Sequence, residues 1–200
     1  MISFYKIKPK FQKLLKPILV GLYKLGITAN QITVSSIVLS FFIGVSLWFH
    51  PDYRLGLLVV PIGLLLRMAL NALDGMMART YNMQSKLGEV LNEIGDVISD
   101  LFIFIPMTQI KGLNHELLAF FIGLSIINEF AGFMGKLIGK ERRYDGPMGK
   151  SDRAFLVGII CCILFFRPID LIIINSIFIG ASALIVLSTV IRLKKGLRDG

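Results

Sequence analysis

The sequence predicts an all-α integral membrane protein: six transmembrane helices preceded by an N-terminal amphipathic helix that lies in the membrane interface. Three observations support this prediction. Hydrophobic residues make up 54% of the 200 residues, the mean hydropathy is +0.72, and long apolar stretches follow one another along the chain. A helix of about 20 apolar residues crosses a bilayer. The stretches are too long and too continuous for the alternating strands of a membrane barrel.

The first element is a basic segment, residues 1–27, in which Phe11, Leu14 and Ile18 recur at helical spacing among lysines. This pattern is typical of a helix lying flat among lipid headgroups. A six-helix core is expected within residues 28–192. Its predicted spans are 31–50, 55–79, 87–110, 116–139, 153–168 and 170–192. Without repeats or low-complexity tracts, all 200 residues form a single domain.

Charge distribution predicts the topology. The chain has 22 Lys and Arg residues against 13 Asp and Glu. Most of the basic residues precede the first span, lie between the second and third or the fourth and fifth, or follow the sixth. The positive-inside rule then places both termini of this multi-pass protein on the cytoplasmic side. The expected membrane is the cell's inner membrane. The positive charge is expected to contact anionic membrane lipids, and no nucleic-acid partner is predicted.

Polar residues interrupt the second and third spans. Their cost in a membrane makes them candidates for function. The third span presents an acidic face, about 100° wide, formed by Glu89, Asn92, Glu93, Asp96 and Asp100. Oxygen ligands without His or Cys suit a hard cation such as Mg²⁺. The alternative is a polar network that joins two helices.

The second span contains Asn71, Asp74, Gly75, Ala78 and Arg79. Small residues allow a ligand to approach the backbone, and an arginine can bind a phosphate oxygen. A cation, a phosphate and an aspartate together favour transfer chemistry on a lipid-linked pyrophosphate.

At this point the pattern resembles the CDP-alcohol phosphatidyltransferase family, whose signature is D-x-x-D-G-x-x-A-R, eight residues, then G-x-x-x-D-x-x-x-D. The matching positions are Asn71, Asp74, Gly75, Ala78, Arg79, Gly88, Asn92 and Asp96, with the spacing kept throughout. Asparagine replaces the first and third aspartates of the signature, so the chain is most similar to divergent bacterial members.

The resemblance implies transfer of a phosphatidyl group from a CDP-linked lipid of the CDP-diacylglycerol type to an alcohol, with release of CMP. This is a step of phospholipid biosynthesis. It implies Asp96 as general base and Mg²⁺ or Mn²⁺, one or two ions, as cofactor. The expected metal ligands are Asn71, Asp74, Asn92 and Asp96, with Glu93 as a carboxylate that restores charge on the same face. The expected CDP-lipid contacts are Asn30, Thr33, Gly75, Ala78, Arg79, Ser85 and Gly88. For the segment from Asn30 to Thr33, capping of the first span is the alternative.

The connection between the fourth and fifth spans, GKERRYDGPMGKSDRAF, is basic. Its charge satisfies the positive-inside rule alone, or else it forms a pocket for an anionic acceptor such as a polyol phosphate. The candidate acceptor residues are Lys136, Arg142, Lys150 and Arg153. Glu129 is expected to make structural hydrogen bonds, and Arg67 is expected to pair with one of the intramembrane acids.

Ala131, Gly135 and Gly139 recur every four residues, which favours close helix packing or a homodimer contact. Two other functions remain open. A catalytically impaired homologue that binds nucleotide-lipid or a partner would account for the two asparagines. A transporter is disfavoured because the chain has no inverted repeats.

Overall fold

The computed structural model describes residues 7–49, 54–139, 141–167 and 170–199, and these are helical with no strand. Positions 1–6, 50 and 168, which the predicted elements include, lie outside the described residues, as does Lys140 of the basic connection. The helices are α1 (Ile7–Lys24), α2 (Ala29–Phe49), α3 (Arg54–Thr80), α4 (Lys86–Phe104), α5 (His115–Ile138), α6 (Lys150–Phe166) and α7 (Leu171–Asp199).

A helix occupies each of the six predicted spans. Among the described helices four, α2, α3, α5 and α7, are long and apolar enough to cross a membrane. The other two do not reach that standard, because α4 has five charged residues within 19 and α6 is only 17 residues long. On both, the buried charged side chains Asp96, Asp100 and Arg153 pair with residues of other helices.

Two predicted boundaries are wrong for identifiable reasons. The span 87–110 is not one continuous helix, because a 3-10 turn, Ile105–Gln109, follows α4. Pro106 near the start of that turn lacks the N–H that a continuing helix needs. The helix predicted from residue 153 starts earlier, at Lys150, where the Asp152 carboxylate accepts a hydrogen bond of 3.0 Å from the Gly149 N–H. This start places Lys150 on the first turn of α6.

Packing brings α2 against both α3 and α4, α3 against α6, and α5 against α7. The main apolar core includes Val60, Met107 and Phe121, all fully buried. A smaller cluster joins α1 to α3, so that Leu15 is buried while its neighbour Leu14 is exposed. Helices α2, α3 and α4 therefore form one packed group, and this group holds the polar residues of the signature.

The small-residue stripe of α5 is used for packing within the chain. A Cβ at Gly135 would come within 2.2 Å of the Arg143 Cγ. A Cβ at Gly196 of α7 would lie 3.2 Å from the Gly135 Cα. The close-packing alternative is therefore confirmed at Gly135, and the homodimer stays a prediction.

Hydrogen bonds attach the connection between α5 and α6 to both α5 and α7. The Arg143 N–H donates to the Gly132 carbonyl of α5 at 3.0 Å, and the Arg192 Nε of α7 donates to the Asp145 carbonyl at 3.2 Å. A hydrogen bond from Lys195 holds the pKa of Asp145 below its usual range. These contacts fix the segment that leads into Lys150.

Candidate active site

Side-chain hydrogen bonds connect the signature residues of α3 and α4 with α2. The Thr33 hydroxyl donates to Asp74 Oδ2 at 2.9 Å, and the Ser36 hydroxyl donates to Asn71 Oδ1 at 2.7 Å. Asn71 Nδ2 in turn donates to Asp96 Oδ1 at 3.4 Å. The fold thus brings together polar groups from three helices that the sequence spaces far apart.

The two signature aspartates are buried but differ in their neighbours. Asp74 is 6% exposed and Asp96 5%, and their charges are close enough to interact. Lys150 Nζ forms an ion pair with Asp96 Oδ2, and Arg67 Nη2 lies 4.0 Å from Asp96 Oδ1. Across the described ranges, Asp74 has no direct ion pair: the Lys150 ammonium, paired with Asp96, acts on it only from a distance, and Thr33 is its one side-chain donor. A buried carboxylate without a cation is costly, so Asp74 is the position where an external cation would gain most.

Arg79, at the end of α3, is exposed. Its guanidinium lies over Gly75, where an added Cβ would stand 3.2 Å from Nη2. In the part of the chain that the structure describes, no carboxylate or other acceptor binds it. A free guanidinium beside a backbone without a side chain can accept an anionic ligand such as phosphate.

Three of the expected CDP-lipid contacts meet at the start of α4. Ser85 caps this helix by accepting a hydrogen bond of 3.0 Å from the Gly88 N–H. A Cβ at Gly88 would come within 2.7 Å of Asn30 Oδ1, so a larger residue here would displace the Asn30 side chain. Asn30, Ser85 and Gly88 lie where α2 contacts the start of α4, on the same part of the bundle as the C-terminal end of α3.

The start of α2 tests the alternative in which the segment from Asn30 to Thr33 caps the helix. The Thr28 N–H donates to Gln31 Oε1 at 2.8 Å, and the Gln31 N–H donates back to the Thr28 hydroxyl at 3.3 Å. This reciprocal pair is a capping box, and it satisfies the start of the helix. The cap is therefore Thr28, while Asn30 and Thr33 face α4 and Asp74.

The donor set around Asp74 determines which cation fits. Asn92 makes no side-chain hydrogen bond to any described residue, and Asn71 Oδ1 keeps a second lone pair beside its bond to Ser36. Glu93 is not available, since it forms an ion pair of 2.9 Å with Arg142. No three His, Cys, Asp or Glu side chains gather as a metal site in the described ranges. The candidate ligands, a carboxylate and amide oxygens without His or Cys, fit a hard cation such as Mg²⁺.

Deeper in the bundle lies a layer of buried ion pairs. Arg153 is 0% exposed and binds Asp100 at 3.2 Å and Glu129 at 2.9 Å. Arg67 binds the other oxygen of Asp100 at 2.8 Å, so its predicted pairing with an intramembrane acid is confirmed. Arg192 lies 3.7 Å from Glu129 and donates to the Asn128 carbonyl at 2.7 Å. Arg67, Asp100, Glu129, Arg153 and Arg192 are called the ion-pair layer below.

Each of the four predicted acceptor cations has an acidic partner within the chain. Lys136 pairs with Glu89, and Lys150 with Asp96. Arg142 Nη2 lies 2.9 Å from Glu93 and 2.7 Å from Glu129. Arg153 belongs to the ion-pair layer.

Sequence reasoning missed Ser36 and Arg192. Ser36 follows Thr33 by three residues and precedes Ser40 by four, so a polar stripe on α2 was the available signal. Arg192 ends the predicted sixth span, and the signal there was its position one turn after Ser188 on one face of α7, where both contact Asp145.

Comparison with known proteins gives consistent results. A profile of the CDP-alcohol phosphatidyltransferase family matches residues 26–191. Inner membrane protein YnbA of Escherichia coli (strain K12) is 45% identical over 158 residues, which are 79% of this chain and 78% of YnbA.

Two crystal structures of the Mycobacterium tuberculosis phosphatidylinositol phosphate synthase PgsA1 share the fold. The complex with manganese and citrate has a TM-score of 0.73 at 19% identity, over 90% of this chain and 87% of that one. The complex with CDP-DAG has a TM-score of 0.71 at 20% identity, over 94% and 93%. With the profile match over most of its length, the chain belongs to the CDP-alcohol phosphatidyltransferase family.

Proposed function

We propose that this protein transfers a phosphatidyl group from a CDP-linked lipid to the hydroxyl of an alcohol and releases CMP. One observation carries the proposal. Asp74 and Arg79, at signature positions, are the two charged groups of the site without an ionic partner among the described residues, and they stand beside the paired base candidate Asp96. An unpaired buried carboxylate and an unpaired guanidinium are complementary to a cation and to a phosphate.

The donor would lie along the ends of α2, α3 and α4. Arg79 would bind its pyrophosphate, and the headgroup would lie beside Asn30 and Ser85 at the start of α4. Bound Mg²⁺ or Mn²⁺ would be held by Asp74 with the amide oxygens of Asn71 and Asn92, and it would neutralise the pyrophosphate charge. The crystal structures of PgsA1 with manganese and with CDP-DAG support both ligands for this fold.

Asp96 would act as the general base. It would take the proton of the acceptor hydroxyl while the hydroxyl oxygen forms a bond to the lipid-side phosphorus and the bond from that phosphorus to the CMP oxygen breaks. Asn71 and Lys150, which contact the two oxygens of Asp96, would hold the carboxylate in position. Lys150 would therefore border the acceptor hydroxyl.

We further propose that all six helices α2 to α7 span the inner membrane, with both termini and the site at the cytoplasmic side and α1 in the interface. The outward face of α4 supports this, because Val90 and Ile94 are exposed while Asp96 and Asp100 are buried. On α6, Phe155 and Ile159 are likewise exposed, and Arg153 is buried. Exposed apolar side chains are suited to lipid contact.

The test is release of CMP from CDP-diacylglycerol by the purified protein, screened across alcohols with and without Mg²⁺. The proposal expects CMP release that needs both the metal and an acceptor, with the phosphatidylated alcohol as second product. The inert-homologue alternative is favoured by the two asparagines and by the pairing of Asp96 with Lys150. It expects CDP-lipid binding without turnover for every alcohol, and that outcome would overturn the proposal.

A further inference from the structure

We infer that the acceptor alcohol has no phosphate or other net anionic group, because the cations that would bind such a group are neutralised by carboxylates of the chain itself. The inference rests on the proposed function and narrows its substrate class. An acceptor without net negative charge takes the place of the polyol phosphate that the basic connection alone suggested.

The first step is the pairing of charges on the acceptor side of Asp96. Glu129 is central: Arg142, Arg153 and Arg192 approach it at 2.7, 2.9 and 3.7 Å. Three guanidinium groups around one anion form the kind of cluster that binds a phosphate. Here the position of the anion is occupied by a carboxylate of α5.

The second step is burial, which decides whether the arginines could exchange Glu129 for a ligand. Arg153 is 0% exposed and also binds Asp100. Arg192 is 2% exposed. Moving Arg153 away would leave two buried carboxylates, Asp100 and Glu129, with one arginine fewer each, which is unfavourable away from water. The layer is therefore a fixed part of the bundle and not a set of ligand contacts.

The third step concerns the more accessible cations. Arg142 also binds Glu93 at 2.9 Å, Lys136 binds Glu89, and Lys150 binds Asp96. The one free guanidinium among the described site residues is Arg79, at the donor end. A phosphorylated acceptor would bring negative charge next to Glu93, Asp96 and Glu129 without a cation free to balance it, which disfavours its binding.

The experiment compares matched alcohols with the purified protein, CDP-diacylglycerol and Mg²⁺: glycerol against sn-glycerol 3-phosphate, and myo-inositol against inositol 1-phosphate. For whichever pair is used, we expect kcat/KM to be at least about tenfold higher for the uncharged member. A higher value for the phosphorylated member of either pair would overturn the inference while leaving the proposed function intact.

The variant Glu129→Gln removes the internal anion. Arg142, Arg153 and Arg192 then share one fewer negative charge, so the preference should shift towards the phosphorylated member by about tenfold. Glu116→Gln is the control, because Glu116 is exposed at the first turn of α5. An unchanged preference in a folded Glu129→Gln protein would contradict the inference.

If the protein releases no CMP with any alcohol, the proposed function is wrong. A binding measurement then still tests the inference about the acceptor. Calorimetric titration with sn-glycerol 3-phosphate should give no saturable binding to the wild-type protein. Saturable binding that Arg142→Ala abolishes would place a phosphate in this pocket and overturn the inference. If Glu129→Gln does not fold, the wild-type titration and the matched acceptors decide alone.

Discussion

The site end of the bundle, where Asp74 and Arg79 lie, differs from the ion-pair layer in whether its charged side chains are paired. At the site end, Asp74 is buried without an ionic partner and Arg79 is exposed without one, so far as the described residues show. In the ion-pair layer, Asp100 and Glu129 are similarly buried, and they bind Arg153 at 3.2 and 2.9 Å. Both regions are built from the same residue types.

The difference distinguishes a ligand site from a structural element. Incomplete charge compensation is unfavourable in the protein alone, so a bound cation and a phosphate stabilise it. Charged side chains that already have ionic partners within the chain gain less from a ligand. We therefore expect the paired basic residues nearest the bundle core to stabilise the fold and the unpaired Arg79 to bind a ligand. Asp96 lies between the regions, paired with Lys150 yet next to Asp74.

The largest expected effect is at Asp96, which lies between the two regions. Asp96→Asn should lower kcat about 10²- to 10⁴-fold, because the amide cannot accept the hydroxyl proton. CDP-lipid binding should persist, measured by titration with the donor in the absence of acceptor. Asp170→Asn, at the start of α7, is the control and should leave kcat unchanged. Full turnover in the Asp96 variant would remove the general-base assignment.

The next effect tests the ion-pair layer. Arg153→Met keeps the side-chain volume but leaves Asp100 with one arginine fewer and weakens the pairing of Glu129. We expect a loss of about 3–5 kcal/mol in the free energy of unfolding, measured by denaturation in micelles. Arg198→Met, at an exposed position of α7, should cost little. A folded, equally stable Arg153→Met protein with a changed KM for the acceptor would show that Arg153 is a ligand contact instead.

Arg79→Lys should act on the donor alone. A lysine cannot reproduce the forked contact of guanidinium with phosphate oxygens, so kcat/KM for the CDP-lipid should fall roughly 10- to 100-fold, the equivalent of one charged hydrogen bond. Thermal stability should not change, because Arg79 has no partner among the described residues to lose. Arg167→Lys, exposed at the end of α6, serves as the control. An unaltered donor KM and kcat would contradict the phosphate role.

The smallest expected effect concerns the two asparagines. Asn71→Asp combined with Asn92→Asp should tighten the apparent affinity for Mn²⁺ by about tenfold, because carboxylates bind a hard cation better than amides do. The measurement is a Mn²⁺ titration followed by electron paramagnetic resonance. Weaker binding in the double variant would mean that the hydrogen bond from Asn71 to Asp96 matters more than ligand charge.

Much of this could be predicted from local patterns. Helical periodicity placed Asn92, Asp96 and Asp100 on one face of α4, and the spacing of the signature aligned Asp74 and Arg79 with them. Both features depend on residues within a few turns of one another, which is the range over which helix geometry is set by sequence. The apolar stretches predicted the helices for the same reason.

The partners of the basic residues could not be predicted in that way. Lys150 contacts Asp96 across 54 positions, and Arg153 contacts Glu129 across 24, each on another helix. Such contacts depend on how α4, α5 and α6 pack, and periodicity within one helix does not contain this information. Composition alone therefore made the connection between α5 and α6 resemble an anion pocket, although Arg142, Lys150 and Arg153 pair with carboxylates of other helices.

The most direct test of the contrast between the two regions is Mn²⁺ binding to the purified protein without substrates, followed by the loss of the free-ion resonance signal. We expect one ion per chain in the wild-type protein and in Asp170→Asn, and none in Asp74→Asn, because Asp74 is the buried carboxylate of the site that lacks an ionic partner among the described residues. Absence of saturable binding in the wild type, or binding that survives Asp74→Asn, would contradict the assignment of the unpaired end as the ligand site.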